Sequence, residues 1–123
     1  MKLKCINVAT TNVTELRDFY SLVFQSDYAE VVPGRFEIPA GGVTIVITPS
    51  RFKTQVNPDS CGLEFLVDNV DREYERLVAA GIEIPNPPVT YPWKWRAIGF
   101  KDPVGNHIDF VQPAGGAESL SFD

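Results

Sequence analysis

The hydrophobic positions of the chain follow one pattern twice. An alternating segment and then an amphipathic segment occur in "CINVATTNVTELRDFY" from Cys5, and again in "GLEFLVDNVDREYERL" from Gly62. Strict alternation is typical of a half-buried strand, and apolar residues three and four positions apart are typical of a helix. The Asn-Val pairs at 12–13 and 69–70 align the two copies at an offset of 57 residues. The pattern therefore predicts an internal repeat whose copies begin with a strand and a helix.

Each predicted helix has a start signal. Asn12 and Asn69 stand at the N-cap positions, and Glu15 follows Asn12 at the spacing of a capping box. Gly81 is predicted to end the second helix as a C′ glycine. The expected apolar stripes are Val13, Leu16, Phe19, Tyr20, Val23 and Phe24 in the first helix, and Val70, Tyr74, Leu77 and Val78 in the second.

The ends of the two copies also match. "GVTIVI" at 42–47 aligns with "GNHIDF" at 105–110 at an offset of 63 residues. Two further strands fit in each copy, "DYAEVV" and "GRFEIP" in the first, "IEIP" and "KWRAIGF" in the second. "AGG" and "DPVG" have the composition of hairpin turns. Each copy is therefore predicted to form a βαβββ module.

Two such modules predict an α+β fold, in which paired βαβββ modules form an eight-stranded curved sheet around a concave cavity. At 123 residues the chain has the usual length of one domain, so residues 1–123 are expected to form a single domain. Module one is expected to span residues 1–56 and module two residues 57–113. Residues 114–123 are expected to form a loose tail or a dimer contact.

Strand alternation also predicts which side chains face the cavity. In each strand the apolar set is expected to face the helix, and the intervening residues are expected to face inward. The inward residues are then Cys5, Asn7, Thr44, Val46, Gly62, Glu64, His107 and Asp109. This lining has two acids and no basic side chain except the only histidine of the chain. Cys61 falls on the face opposite to Cys5, which argues against a disulfide between them.

Charge and composition exclude several classes of partner. The formal charge of −5 and the scattered acids argue against a nucleic acid, which binds clustered Lys and Arg. No apolar run approaches the ~20 residues of a membrane helix, so no membrane partner is expected. "MKLKCINVATTN" turns polar too early for a signal peptide. Two cysteines without an export signal indicate reduced thiols and a cytoplasmic protein.

Two segments resemble one known family. "NVTELRDFY" after the first strand and "GFKDPVGNHIDFVQP" at the end are similar to the glyoxalase/bleomycin resistance/dioxygenase family, also called the vicinal oxygen chelate superfamily. The second segment is close to the usual F-x-D-P-D-G-N-x-I-E ending of that family, and the resemblance covers residues 1–113. It implies paired βαβββ modules and a homodimer.

The resemblance also indicates where a metal would be bound. Metal-dependent members place four ligands at positions that correspond here to Cys5, Val46, Gly62 and Asp109. Val46 and Gly62 offer no side-chain donor, and a catalytic divalent site normally needs at least three protein ligands. Cys5 and Asp109 are soft and hard donors that favour different ions. We therefore expect no metal and no other cofactor; a site away from the family position, with Cys5, His107 and Asp109, stays open.

The resemblance then favours a metal-free small-molecule binding protein of the bleomycin-resistance-like type, with an aromatic or cationic ligand in the concave cavity. Glu64 and Asp109 would supply charge, and Tyr91, Trp93 and Trp95 would supply an aromatic wall, because aromatic faces bind cations and flat rings. Lys94 and Arg96 leave an anionic ligand open. The predicted ligand-binding residues are Cys5, Asn7, Glu64, Trp93, Trp95, His107 and Asp109.

Several alternatives stay open beside this hypothesis. The chain is alternatively a metal-dependent lyase, isomerase or dioxygenase of the same superfamily, a metal-free enzyme with Glu64, His107 or Asp109 as acid or base, or a protein whose dimer surface carries the function. No catalytic residue is identified. As purely structural roles, the tryptophans would pack at an interface and Cys5 would be an inert thiol. Glu64 would pair with Arg96, Asp109 would bond Asn7 or water, and His107 would be a hydrogen-bonded wall residue.

Overall fold

The computed structural model describes residues 1–50 and 62–114. These residues form eight strands and two helices, in two four-stranded sheets. The chain divides into two compact units, one of residues 1–56 with Asp102–Val104 and one of residues 57–101 with 105–123. Each unit contains one βαβββ module, which confirms the predicted α+β fold of paired βαβββ modules.

The first unit has the element order β1 (Cys5–Thr10), α1 (Val13–Phe24), β2 (Ala29–Val32), β3 (Arg35–Ala40) and β4 (Val43–Pro49). The strand order in the sheet is β1-β4-β3-β2, with β1 parallel to β4 and the other pairs antiparallel. The parallel pair needs a crossover connection, which α1 begins. This topology leaves one face of the sheet for the helix and the other face uncovered by it.

The predicted signals of α1 and of the β3–β4 hairpin are present. The Asn12 side chain accepts a hydrogen bond from the Glu15 backbone N–H at 3.1 Å and so caps the helix. The helix is held on the sheet by a buried apolar face. The fully buried side chains of this core include Leu16, Tyr20, Ile38, Ile45 and Ile47. Gly41 and Gly42 have φ of +61° and +89°, as the two central residues of a type I′ hairpin turn require.

Asp102 belongs to the core of the first unit although it lies late in the chain. The Tyr20 hydroxyl donates a hydrogen bond to Asp102 Oδ2 at 2.5 Å, and the Val104 backbone N–H donates to Asp102 Oδ1 at 2.9 Å. Only 4% of Asp102 is exposed, and Tyr20 is completely buried. Burial and the neighbouring Asp102 carboxylate raise the pKa of Tyr20 above its ordinary value.

The second unit repeats the order with β5 (Gly62–Leu66), α2 (Val70–Ala79), β6 (Val89–Thr90), β7 (Trp95–Lys101) and β8 (His107–Pro113). Its strand order is β5-β8-β7-β6, and β5 is parallel to β8. The Asn69 side chain accepts from the Arg72 backbone N–H at 3.0 Å, so the second predicted N-cap is also present. The loop around "DPVG" joins β7 and β8, as predicted.

Two expectations for the second unit are wrong. Val78 is 46% exposed, so the buried stripe of α2 is narrower than predicted. "IEIP" forms no strand, because the Ile82 N–H donates to the Leu77 carbonyl and the Gly81 N–H to the Val78 carbonyl. This is a Schellman motif, which uses the backbone of Ile82 to end the helix. Pro85, Pro87 and Pro88 then lack the N–H groups that a strand needs, and pairing starts at Val89.

The strand registers confirm the two offsets of the repeat. Cys5 pairs with Thr44 in the first unit, and Gly62 pairs with His107 in the second. These are equivalent positions at offsets of 57 and 63 residues. The inward set predicted from alternation therefore shares one face in each sheet. Neither α1 nor α2 is long and apolar enough to cross a membrane, and the described residues contain no other helix.

Candidate functional site

A groove of about 770 Å³ lies on the second unit. The Gln112 side chain accepts a hydrogen bond from the Val70 backbone N–H, so the even-numbered residues of β8 face α2. Odd-numbered residues of β8, and those that pair with them on β7, face away from the helix. Asp109 and Val111 on β8, with Ala97 and Gly99 on β7, accordingly line the groove. The groove is therefore the face of this sheet that the helix leaves uncovered.

Three polar side chains of β5 and β8 line the groove: Glu64, His107 and Asp109. Glu64 and Asp109 are direct partners in the parallel register of β5 and β8. His107 precedes Asp109 by two positions on β8, and its Nε2 lies 2.9 Å from Asp109 Oδ1. The side chains of His107 and Asp109 are 37% and 34% exposed, so both are accessible from the groove. We call these three residues the polar floor.

Gly99 makes room for the pair of His107 and Asp109. It lies opposite Asp109 in the antiparallel register of β7 and β8. A Cβ atom at this position would be 2.9 Å from Asp109 Oδ1 and 3.3 Å from His107 Nε2. Since the first distance is closer than side chains pack, the pair can lie across β7 only because residue 99 has no side chain. Gly99 was not predicted from the sequence to belong to the site, although a glycine inside a strand often marks a place where another group lies close to the backbone.

The β6–β7 hairpin supplies an aromatic wall to the groove. The Tyr91 N–H donates to the Trp95 carbonyl at 2.8 Å, and the Lys94 N–H donates to the Tyr91 carbonyl at 2.9 Å. Pro92 suits the second position of this turn, and Lys94 follows in the left-handed region with φ of +66°. The turn stacks the Tyr91 and Trp93 rings, with centroids 4.7 Å apart and planes at 10°. Tyr91, Trp93 and Trp95 all line the groove.

Arg96 faces α2 rather than the groove. Its guanidinium forms two hydrogen bonds with the Asp71 carboxylate, at 2.8 and 2.7 Å, and a third with Thr90 Oγ1 at 2.9 Å. These bonds lower the pKa of Asp71 and raise that of Arg96. The expected pair of Glu64 and Arg96 is therefore wrong. Among the residues that the structure describes, none forms an ion pair or hydrogen bond with Glu64.

The seven predicted ligand-binding residues fall in two places. Glu64, Trp93, Trp95, His107 and Asp109 are brought together in the groove. Cys5 and Asn7 lie on β1 of the first unit.

The surroundings of these residues differ from those expected in one respect. Cys5 is a half-buried free thiol, and Cys61 lies outside the described residues. Asn7 Oδ1 accepts a hydrogen bond from Thr48 Oγ1 at 2.9 Å. The described hydrogen-bond partner of Asp109 is His107, a contact that was not expected.

Comparison with protein families identifies the chain. The family model described as Glyoxalase/Bleomycin resistance protein/Dioxygenase superfamily matches residues 2–110. The chain belongs to this superfamily. Comparison with curated proteins gave no match.

Solved structures of the superfamily share the fold at low sequence identity. A glyoxalase/bleomycin resistance protein/dioxygenase from Nocardioides has a TM-score of 0.78 at 20% identity, with 100% of this chain and 90% of that chain covered. A fosfomycin resistance protein, FosX, from Listeria monocytogenes has a TM-score of 0.76 at 18% identity, with 97% of both chains covered. A lactoylglutathione lyase from Agrobacterium tumefaciens has a TM-score of 0.69 at 16% identity, with 90% and 92% covered. These similarities show the shared fold.

The side chains at the metal-ligand positions of the superfamily do not fit a metal. The registers place Val46 opposite Asn7 and Gly62 opposite His107, and neither Val46 nor Gly62 carries a donor atom. Asp109 is hydrogen-bonded to His107. Within residues 1–50 and 62–114, no group of three or more His, Cys, Asp or Glu side chains could hold a metal ion. A divalent site needs more donors than these positions provide.

Proposed function

We propose that this superfamily member is a metal-free small-molecule binding protein of the bleomycin-resistance-like type. Its ligand is an aromatic or cationic compound held in the groove of the second unit. The observation that supports this proposal is the composition of the groove, which combines a stacked aromatic wall with two carboxylates. A binding site of about 770 Å³ also has the size of pockets for drug-like molecules.

The charges of the groove favour a cation over an anion. Glu64 and Asp109 lie on adjacent strands, and Arg96 is bonded to Asp71 on the other side of the sheet. The described lining of the groove contains no lysine or arginine. A cation placed between carboxylates and the face of Tyr91 or Trp93 would gain both ionic attraction and a cation–π contact of about 0.5–2 kcal/mol. The anionic ligand that Lys94 and Arg96 left open is therefore disfavoured.

The alternative is a metal-dependent lyase, isomerase or dioxygenase of the same superfamily. Lactoylglutathione lyase is one of the similar structures, and a fosfomycin resistance protein is another, so the shared fold is found with more than one activity. The residues at the metal-ligand positions favour the metal-free proposal, since two of the four have no donor atom. The homodimer and the cytoplasmic location stay predictions.

A thermal-shift assay in the presence of EDTA tests the proposal. The probes are 1-naphthylmethylamine, which is cationic at neutral pH, and 1-naphthoate, which has the same ring and the opposite charge. We expect the amine to raise the melting temperature in a saturable way and the carboxylate to leave it unchanged. The proposal is wrong if neither compound, nor any member of a wider set of aromatic and cationic compounds, shifts the melting temperature.

Two substitutions assign the binding to the groove. Glu64→Gln removes one charge, and Trp93→Ala removes half of the stacked aromatic pair; we expect each to weaken binding of the amine about tenfold. Trp93 is 65% exposed and Glu64 has no described partner, so neither change should unfold the protein. Glu75→Gln and Val78→Ala on α2 are matched controls at exposed positions outside the groove. Equal affinities in all four variants would show that the amine binds elsewhere.

A further inference from the structure

The only histidine of the chain lies on the polar floor with one ring nitrogen already bonded. We propose that Asp109 fixes neutral His107 with its proton on Nε2, so that Nδ1 accepts a hydrogen bond from an N–H group of the ligand. This inference rests on the proposed function and narrows the ligand class to an aromatic amine that carries at least one N–H donor. His107 is then a recognition residue, and Asp109 is its positioning residue.

The hydrogen bond at Nε2 determines the tautomer. A neutral imidazole carries one proton, and the nitrogen without it is an acceptor. A carboxylate can only accept, so the 2.9 Å contact of His107 Nε2 with Asp109 Oδ1 requires the proton on Nε2. Nδ1 is then the acceptor, and no described residue hydrogen-bonds it. Asp109 therefore determines how the histidine can interact with a ligand.

The other two members of the polar floor are acceptors as well. Ionised Glu64 and Asp109 have no proton to donate, and Glu64 has no described partner. With His107 in the Nε2–H form, all three floor side chains present acceptors to a ligand. A protonated amine has N–H donors for these acceptors, and its ring can stack on Tyr91 and Trp93. A quaternary ammonium keeps the charge but has no N–H, so it cannot satisfy them.

The two glycines beside His107 allow the role of the pair to be tested. A Cβ atom on Gly99 would be 2.9 Å from Asp109 Oδ1, so Gly99→Ala must displace the carboxylate or the ring. The three atoms nearest to a Cβ atom on Gly62 would all belong to His107, at ordinary contact distances of 3.5 and 3.7 Å. Both glycines lie in strands on the same face of the sheet. Gly62→Ala is therefore a matched control for Gly99→Ala.

Nuclear magnetic resonance reads the tautomer directly, because a chain with one histidine gives one set of imidazole nitrogen signals. In long-range ¹H–¹⁵N spectra recorded at pH 8.5, we expect wild type and Gly62→Ala to carry the proton on Nε2. Gly99→Ala and Asp109→Asn should give a mixture of tautomers, since the first displaces the carboxylate and the second replaces it with an amide that can present either an acceptor oxygen or an NH₂ donor. A proton on Nδ1 in wild type, or a wild-type spectrum in both of these variants, would overturn the proposal.

A pair of probes tests the recognition itself by isothermal titration calorimetry. We expect 1-naphthylmethylamine to bind wild type at least about tenfold more tightly than its N,N,N-trimethyl derivative, which has the same ring and charge. His107→Phe and Gly99→Ala should each lower the affinity for the primary amine about tenfold. The affinity for the trimethyl compound should change less than about threefold. Gly62→Ala should leave both affinities within about twofold of wild type.

The outcomes separate this inference from the proposed function. If the trimethyl compound binds as tightly as the primary amine, the groove recognises charge and ring alone, and the role of His107 is wrong while the proposed function stands. If neither compound binds, the inference about His107 is wrong, and the proposed function is wrong as well if the wider set of aromatic and cationic compounds also fails to bind. If wild type and His107→Phe prefer the primary amine equally, the carboxylates accept the hydrogen bonds of its N–H groups. The inference about His107 is then also wrong.

Discussion

Tyr20 and Asp102 form a buried hydrogen bond between residues 82 positions apart in the sequence. The helical stripe predicted that Tyr20 would be buried, but no periodic pattern pairs it with an acid so distant in the chain. Asp102 belongs to the "DPVG" turn, where composition indicated only a hairpin. A buried carboxylate needs hydrogen-bond donors, and the Tyr20 hydroxyl and Val104 N–H provide two. Part of the family-like ending "GFKDPVGNHIDF" thus has a structural role rather than a role in binding.

Tyr20→Phe tests this bond through its pH dependence. The substitution removes a donor to a buried carboxylate, so we expect the free energy of unfolding at pH 7 to fall by about 1.5–3 kcal/mol. The raised pKa keeps the hydroxyl protonated in the folded state above pH 10, where the unfolded chain ionises. Above pH 10, Tyr20 should therefore lower the free energy of unfolding of wild type by up to about 1.4 kcal/mol per pH unit. The variant lacks the hydroxyl and should not show this loss.

Urea denaturation of the two proteins between pH 7 and pH 11 measures this difference. Tyr28→Phe is the matched control, because Tyr28 is 42% exposed and keeps its ring contacts with Phe36 in the variant. The stability gap between wild type and Tyr20→Phe should narrow above pH 10. A gap that stays constant over the whole range would contradict the account of Tyr20.

The pair of His107 and Asp109 shows what strand alternation predicts about individual side chains and what it does not. Alternation predicted that both side chains face the same way, and the register with Gly62 and Glu64 confirms it. It did not predict the hydrogen bond between them, because strand periodicity fixes the face of a side chain and leaves its rotamer open. The rotamers here depend on the space over Gly99, which lies on another strand.

At the scale of elements, helix caps and glycine turns were predicted well and short strands poorly. Asn12, Asn69, Gly41 and Gly42 act through local bonds or local dihedral angles, so a few neighbouring residues are enough to identify them. The two-residue strand β6 has no alternation long enough to be recognised. "IEIP" was misassigned because an apolar alternating segment is also found after a Schellman motif.

The β6–β7 hairpin offers a prediction at this scale. Lys94 has φ of +66°, a region that a non-glycine residue occupies at a cost of about 1–2 kcal/mol. Lys94→Gly should therefore keep or raise the stability by up to about 1 kcal/mol, and Lys94→Val should lower it by about 1–2 kcal/mol. Lys101→Val on β7 is the control, since a strand accepts a β-branched residue.

Urea denaturation gives the stabilities, and near-ultraviolet circular dichroism reports the stacking of Tyr91 and Trp93. We expect Lys94→Val to weaken the aromatic signal and Lys94→Gly to preserve it. If Lys94→Val and Lys101→Val have equal effects on stability and on the spectrum, the turn does not depend on the left-handed residue.

At the scale of the whole molecule, the repeat made the fold predictable from one sequence. Two copies of the same pattern support each other, and the registers match both offsets. The copies differ in the chemistry of their uncovered faces. Thr44 and Val46 in the first unit correspond to His107 and Asp109 in the second, and Asn7 corresponds to Glu64. The charged side chains of the inward set therefore lie in the second copy, where the groove is found.

The central claim is that the groove of the second unit binds an aromatic amine without a metal. Isothermal titration calorimetry with 1-naphthylmethylamine tests it most directly, on protein treated with EDTA and shown by elemental analysis to be free of metal. We predict saturable binding with one ligand per chain and an affinity that stays within about twofold when Zn²⁺, Fe²⁺, Ni²⁺ or Mn²⁺ is added. The claim would be contradicted if the amine bound only when a metal was present, and if the stoichiometric binding of that metal was lost in Asp109→Ala.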